Sequence, residues 1–185
     1  MAAELAGVVL DPAPAEAPPA APPGAARLLV LEGAGHRWLV AELEPGVAAA
    51  EVRDALSAGA APRVAFTATP MGEWPSAAFD PDEVTHVMPV AIPAPAEHIE
   101  DVDRWYEEEH SGMLLRCQDW LRVRRYAIES VAGAAWTRLA LHDLASPDVL
   151  ATPQVRAAMS TPWRDRLAAH DWFTAEGRVA LAVRR

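Results

Sequence analysis

The sequence predicts an α+β fold made of two halves that share one order of strands and helices. Turn residues recur at short intervals along the chain, and the short apolar runs between them are typical of strands. Longer amphipathic or alanine-rich stretches alternate with these runs and predict helices. The C-terminal half has the order β-α-β-β-α-β. The N-terminal half has the same order with its first helix reduced to a proline-rich segment, and the likeness rests on element order alone.

In the N-terminal half, residues 1–70, we expect strands at 8–10, 27–31, 36–43 and 63–68 and a helix at 47–58. The turn Gly33-Ala34-Gly35 predicts a hairpin between the second and third strands. Residues 11–25 contain six prolines, which disfavour a helix and predict a linker or an extended surface segment. The first helix of this half is therefore expected to be shortened or lost.

A second linker is predicted at 71–83, and the C-terminal half follows at 84–185. We expect strands at 85–91, 120–128, 136–144 and 178–183, and a long helix at 96–115. Ser146-Pro147 and Thr161-Pro162 each place an N-cap residue before a proline, so both pairs predict helix starts. Pro153 is expected to interrupt the helical region between them.

Composition and charge exclude several classes of protein. The net charge of −10 and the pI of about 5.0 argue against a nucleic-acid surface. No apolar run approaches the length of a membrane span. Cys117 is the only cysteine, and the first ten residues lack the positive charge of a signal peptide, so a cytoplasmic location is expected. All sixteen basic residues are arginine, which together with abundant alanine and proline indicates a bacterium with GC-rich coding.

The long helix carries one histidine on its apolar side. Residues at spacings close to 3.6 form an apolar stripe: Ile99, Val102, Tyr106, His110, Met113 and Cys117. Glu107 and Glu108 point away from it, and Glu109 flanks it. His110 is therefore either a core histidine bonded to a strand carbonyl or a general acid or base that faces a ligand, since the ordinary pKa of imidazole is about 6.5.

The strand after this helix is rich in arginine and aromatic residues. Strict alternation places Trp120, Arg122, Arg124 and Tyr126 on one face, and the face of the next strand that carries His142 is its counterpart. If this mixed face meets the helices, Arg124, Tyr126 and His142 could orient an anionic or phenolic ligand. The alternative is cross-strand packing with arginines that extend to solvent.

Three motifs resemble the dimeric α/β-barrel superfamily, with the EthD-like members as the most similar group. They are Trp105-Tyr106-Glu109-His110 on a helix, 120–126 (W-L-R-x-R-R-Y) on a strand, and Thr161-Pro162-Trp163. The resemblance covers 84–185 by motif and 1–70 by topology alone. It implies two ferredoxin-like βαββαβ units that pack as a barrel, by dimerisation or within one chain, with ligands between a sheet and its helices. Polyketide cyclases, cofactor-free quinone-forming monooxygenases and haem enzymes are among its members.

The residues and the resemblance together lead us to expect a cofactor-independent enzyme of bacterial secondary metabolism, such as antibiotic biosynthesis, that cyclises, dehydrates or isomerises an aromatic or polyketide-like molecule. His110 and Tyr106 are the expected catalytic residues. The expected substrate-binding residues are Arg124, Tyr126, His142, Trp163 and Trp105. No metal or nucleotide motif occurs. The alternatives are a non-catalytic binding protein, an oxygenase without a cofactor, or haem ligation by His110; a homodimer is the alternative assembly.

Overall fold

The computed structural model describes residues 3–11, 17–173 and 181–184, with the backbone alone for Arg184. Its strands are β1 (Leu5–Leu10), β2 (Ala25–Gly33), β3 (His36–Leu43), β4 (Val64–Pro75), β5 (His86–Ile92), β6 (Trp120–Ala132), β7 (Arg138–Leu144) and β8 (Leu181–Arg184). These strands form one closed barrel in the order β1-β3-β2-β8-β5-β7-β6-β4, and every pair is antiparallel. The predicted α+β class is confirmed, and the barrel closes within one chain.

The strands of the two halves occupy equivalent places in the barrel. The N-terminal half contributes the order β4-β1-β3-β2, and the C-terminal half contributes β8-β5-β7-β6. In each half the first and third strands are central, and the fourth and second lie at the edges. The halves meet at two seams. One is the long pairing of β4 with β6, and the other is the pairing of β2 with short β8, in which Glu32 pairs with Ala182. Residues 178–180 of the predicted last strand lie outside the described residues.

The predicted hairpin is confirmed, and its turn is a two-residue loop. Gly33 pairs with His36, which leaves Ala34 and Gly35 as the loop. Both loop residues have positive φ, 50° and 82°, as a type I′ turn requires. This turn twists in the same sense as the strands and holds β2 and β3 in register.

The linker predicted at 71–83 is partly strand. β4 continues to Pro75 and pairs with β6 as far as Arg122, with an irregularity between Pro70 and Gly72. Because the ladder is interrupted there, Pro70 is tolerated within a paired strand. The strand is therefore longer than the 63–68 predicted from the sequence.

The helices are α1 (Ala49–Ser57), α2 (Ile99–Trp105), α3 (Ser111–Leu114), α4 (Pro153–Ala158) and α5 (Pro162–Ala168). A 3₁₀ turn, Ala96–His98, precedes α2, and a π-helical turn, Tyr106–His110, joins α2 to α3, so the long helix predicted at 96–115 is confirmed with a change of pitch. Thr152 and Thr161 cap α4 and α5. Pro153 begins α4 where the sequence predicted an interruption. No helix occurs in the described residues 17–24 of the proline-rich segment.

Apolar side chains fill the barrel and also cover its outer surface. The interior cluster includes Leu31, Val40, Phe66, Tyr126 and Leu141. Outside the C-terminal half, a second cluster joins β5, β6 and β7 to the helices, and it includes Val90, Val102, Trp105, Trp120 and Phe173. α1 covers the N-terminal half through Val52 and Leu56. The larger helical layer therefore lies on the C-terminal half, where the candidate site is found.

Candidate active site

A cavity of about 200 Å³ lies between the C-terminal half of the sheet and the helices that cover it. β5 and β7 form its floor, the end of α2 and the π turn form its roof, and the segment from 150 to 159 closes one side. Its lining residues are Met88, Val90, Trp105, Tyr106, His110, His142, Leu150, Val155 and Met159. Three of them, Tyr106, His110 and His142, carry groups that can exchange a proton, and the rest form mainly apolar walls.

The π turn sets the direction of the side chains in the roof. The Ser111 N–H donates to the carbonyl of Tyr106, five residues earlier. Tyr106 and His110 are 2% and 3% exposed, while Glu107 and Glu108 face solvent. The prediction that Tyr106 and His110 face inward is confirmed.

The rings of the roof and floor pack closely around the cavity. His110 stacks on Trp105 with centroids 4.1 Å apart, and it meets Tyr106 edge to face at 5.2 Å. On the floor, His142 lies 6.1 Å from the Tyr106 ring and 5.2 Å from the Trp120 ring. Tyr106 is thus placed between two imidazoles, one above the cavity and one below it.

The predicted grouping of His142 with Arg124 and Tyr126 is wrong. β6 and β7 change register between Trp120 and Arg122, so one extra residue, Leu121, shifts the alternation. Beyond this bulge, Val123 pairs with His142 on the face that meets the helices. Arg124 and Tyr126 therefore point into the barrel, away from the cavity.

Arg124 belongs to a chain of ion pairs inside the barrel. Asp143 accepts hydrogen bonds from Arg124 at 2.7 Å and from Arg122 at 2.6 Å, and Glu42 accepts one from Arg124 at 2.8 Å. Burial lowers the pKa of Arg124, but the charge of Asp143 raises it above its ordinary value. Burial raises the pKa of the Tyr126 phenol, and the charge of Arg124 opposes that rise only in part.

Trp163 also lies away from the cavity. Its indole N–H donates to Asp101 at 3.0 Å, and the guanidinium groups of Arg104 and Arg166 lie 5.6 Å and 5.5 Å from its ring. Of the residues expected from the sequence, the structure brings Trp105, Tyr106, His110 and His142 to the cavity. It places Arg124, Tyr126 and Trp163 elsewhere.

Arg125 supports the cavity and was missed in the sequence. It is 1% exposed, and its guanidinium carbon lies 4.3 Å from the centroid of the Tyr106 ring. Asp103 accepts a 2.6 Å hydrogen bond from Arg125 and a pair of bonds from Arg138. Burial raises the pKa of Asp103, but the bonds from Arg138 and Arg125 lower it below its ordinary value. The sequence did contain a signal for Arg125. Strict alternation groups it with Leu121, Val123 and Ala127, and it is the single charged residue of that group.

Glu109 ties the roof to the covering helices. It accepts a 3.2 Å hydrogen bond from the indole N–H of Trp105 and a 2.6 Å bond from the hydroxyl of Thr161. The same Thr161 oxygen accepts from the N–H of Arg164 and caps α5. One carboxylate therefore fixes both the ring that stacks on His110 and the start of α5.

The described residues contain neither a cluster suited to a metal ion nor a helix suited to span a membrane. Within residues 3–11, 17–173 and 181–184, no group of three or more His, Cys, Asp or Glu side chains could hold a metal ion. In the same part of the chain, no helix is long and apolar enough to cross a membrane.

Comparisons with known proteins give likeness in structure and none in sequence. No family profile matches the chain, and no curated protein matches it significantly. An anthrone oxidase-like protein has a TM-score of 0.68 at 10% identity, over 98% of this chain and 91% of its own. A major regulator of staphylococcal pathogenesis has a TM-score of 0.58 at 10% identity, over 98% of this chain and 99% of its own. A provisionally assigned monooxygenase of Fusobacterium nucleatum has a TM-score of 0.51 at 8% identity, over 85% of this chain and 75% of its own. These likenesses, all at 10% identity or less, show the fold alone.

Proposed function

We propose that this protein is an enzyme that moves protons on a small aromatic or polyketide-like molecule, without a metal or cofactor of its own. One observation carries the proposal: Tyr106, His110 and His142 converge on a cavity whose other walls are mainly apolar. Such a cavity suits a planar carbon skeleton, and a few polar groups at fixed places give orientation and chemistry. The reaction would be a cyclisation, a dehydration or an isomerisation.

His110 is the proposed base. Its ring forms part of the roof, and stacking on Trp105 holds the ring plane. A neutral imidazole can take a proton from a carbon next to a substrate carbonyl, which leaves an enolate. Tyr106 and His142 lie on the same cavity and can donate hydrogen bonds to the enolate oxygen. Trp105 supplies a flat surface for the substrate ring.

The size of the cavity favours a small substrate. Its volume of about 200 Å³ lies below the roughly 300–1,000 Å³ that is common for pockets of drug-sized ligands and cofactors. This supports one or two fused rings and disfavours haem bound at His110. The same volume exceeds the roughly 150 Å³ of an apolar cavity that takes up benzene.

The origin of the fold is part of the proposal. We infer that the chain contains two ferredoxin-like units that arose by duplication, with the first helix of the first unit lost. The equivalent orders β4-β1-β3-β2 and β8-β5-β7-β6 support this inference. The three sequence motifs support a place among EthD-like or cyclase-type members, with a role in bacterial secondary metabolism.

The proton transfer can be tested without knowledge of the natural substrate. 2-Tetralone, a bicyclic ketone, exchanges its acidic C–H protons for deuterium in D₂O, and NMR follows the exchange. The wild-type protein is expected to accelerate this exchange, and His110→Gln is expected to lose the acceleration. His98→Gln is the matched control, because His98 lies at the start of the same helix and outside the cavity lining. Saturable binding with no exchange would instead indicate a non-catalytic binding protein.

A second candidate is an oxygenase without a cofactor. The names of two structural neighbours, an anthrone oxidase-like protein and a provisionally assigned monooxygenase, favour it. Anthrone loses a C–H proton to a base, and its anion reacts with one O₂ to give anthraquinone and water. Oxygen uptake with anthrone, lost in His110→Gln, would support this candidate; exchange with 2-tetralone and no oxygen uptake would favour the first.

A further inference from the structure

Arg125 is a buried cation behind the wall of the cavity. Its guanidinium carbon lies 4.3 Å from the centroid of the Tyr106 ring, and only 1% of its surface is exposed. Tyr106 lines the cavity, and Arg125 does not. The cation therefore acts on the cavity through the phenol ring and not by direct contact with a ligand.

Asp103 fixes the position of this cation. Its carboxylate accepts a 2.6 Å bond from the Arg125 Nη2, and the Arg125 Nη1 donates to the Asp103 carbonyl at 3.4 Å. Arg138 binds the same carboxylate with contacts of 2.9 to 3.1 Å. Asp103 thus has two cationic partners, and only Arg125 lies over the Tyr106 ring. Removal of either arginine still leaves the carboxylate paired.

The charges of this group leave a surplus next to Tyr106. Two guanidinium groups share one carboxylate, so Asp103, Arg125 and Arg138 together carry one net positive charge. Arg125 and Asp103 are both largely shielded from solvent, with side chains 1% and 18% exposed. In such surroundings a positive charge about 4 to 6 Å away stabilises an anion strongly. The nearest group at the cavity that can become an anion is the phenol of Tyr106.

We propose that Arg125 is a positioning residue that stabilises negative charge on Tyr106 and so makes the Tyr106 phenol the proton donor opposite His110. This inference rests on the proposed function. His110 takes a C–H proton and becomes an imidazolium, while the Tyr106 O–H proton passes to the carbonyl oxygen and leaves a phenolate. The substrate becomes its neutral enol, and the net charge of the site is unchanged. Transfer of the imidazolium proton to a different carbon, with return of the enol O–H proton to the Tyr106 phenolate, completes an isomerisation and restores both side chains.

The chain offers a direct spectroscopic test because it has two tyrosines. Tyr126→Phe removes the one inside the barrel, so the absorbance of tyrosinate near 295 nm then reports Tyr106 alone. In this background, Arg125→Gln removes the charge and keeps a hydrogen bond to Asp103. We expect the Tyr106 titration to move upward by about one to three pH units. Arg125→Lys, which keeps the charge, should recover much of the shift.

Arg138→Met is the matched control. It removes the other partner of Asp103 and leaves the cation over the ring, so the Tyr106 titration should rise clearly less than it does in Arg125→Gln. Circular dichroism at each pH shows whether titration precedes unfolding. If Arg125→Gln does not fold, Asp103→Asn is the second variant: it removes the carboxylate that partly cancels the charge of Arg125 and should move the Tyr106 titration downward, whereas an unchanged or higher midpoint would overturn the inference.

Equal midpoints in Arg125→Gln and its parent, or titration only on unfolding in both, would overturn the inference. The proposed function has a separate test. It is wrong if His110→Gln still accelerates the deuterium exchange of 2-tetralone at the wild-type rate. If both proposals hold, Arg125→Gln should reduce the maximal exchange rate at least tenfold while the concentration of 2-tetralone for half-maximal rate changes little. A change confined to that concentration would contradict a role for Arg125 in the proton-transfer step.

Discussion

His110 stacks on Trp105, with ring centroids 4.1 Å apart and planes inclined by 22°. The two residues are five positions apart. Five residues of a regular α-helix turn through about 500°, which would leave the side chains about 140° apart. The π turn Tyr106–His110 has a wider repeat and brings both rings to the same side of the helix. The direction of the candidate base therefore depends on one local change of helix pitch.

The stack predicts a specific signal in NMR spectra. A proton above the face of an indole is shielded, so a ring resonance of His110 should lie upfield of its usual position. Trp105→Leu should move that resonance downfield. Trp172→Leu is the control, because Trp172 packs against His98 and His170 and should affect their resonances instead. If Trp105→Leu leaves the His110 ring signals in place, the stack does not exist in solution.

The link between Glu109 and Thr161 should stabilise the cover of the cavity. Thr152 and Thr161 both cap a helix, but the Thr152 hydroxyl donates to the carbonyl of Val149, whereas the Thr161 hydroxyl donates to the carboxylate of Glu109. Loss of a cap typically costs about 0.5–2 kcal/mol, and loss of a hydrogen bond to a charged group costs about 1.5–3 kcal/mol more. Thr161→Val should therefore lower the free energy of unfolding in urea further than Thr152→Val does. Equal effects would show that the bond to the charged Glu109 contributes no more than the bond of Thr152 to the Val149 carbonyl.

The ion pairs inside the barrel predict unequal costs for two carboxylates. Asp143 is 1% exposed and lies between Arg122 and Arg124, whereas Glu73 is 28% exposed and binds Arg122 at the end of the chain of pairs. Asp143→Asn removes the negative charge that Arg122 and Arg124 share inside the barrel. It should therefore lower the free energy of unfolding by about 3–5 kcal/mol. Glu73→Gln should cost about 1 kcal/mol or less. Chemical denaturation of the two variants checks the ranking, which a larger loss in Glu73→Gln would reverse.

Asp103 should make stability depend on acid. Its pKa is lower in the folded protein than the ordinary 3.8, because the bonds from Arg138 and Arg125 outweigh the effect of burial. The associated stabilisation is complete above about pH 3.8 and is lost as the pH falls through the folded value. The difference in unfolding free energy between wild type and Asp103→Asn should be constant near neutral pH and narrow in acid. A constant difference down to the acid transition would show that Asp103 is not coupled to folding.

Much of the fold was accessible from sequence because its elements have strong local signals. The glycine turn at 33–35 predicted the first hairpin, and Thr161-Pro162 predicted the start of α5. The inward position of Tyr106 and His110 also followed from helical spacing. The predictions that were wrong concern places where the regular alternation of a strand is interrupted. Because of the bulge at Leu121, His142 lies on the opposite face of the sheet from Arg124 and Tyr126. Pro70 lies within a paired strand and does not end it.

The candidate site was predicted only in part for a related reason. The π turn at Tyr106–His110 interrupts the regular repeat of 3.6 residues on which the sequence prediction relied. The stack of Trp105 on His110 was therefore not predicted, although both residues were named. Trp163 is held away from the cavity by its hydrogen bond to Asp101 on the outer side of the helix, and residue spacing alone does not show this bond.

The proposed binding of a small aromatic molecule in the cavity under His110 can be followed directly by methyl NMR of the methionines. The chain has five methionines, and Met88 and Met159 line the cavity while Met71 and Met113 do not. Titration with 2-tetralone should shift the Met88 and Met159 methyl signals in a saturable way and leave those of Met71 and Met113 in place. Shifts at Met71 or Met113 alone, or no saturable shift at Met88 and Met159, would contradict the claim.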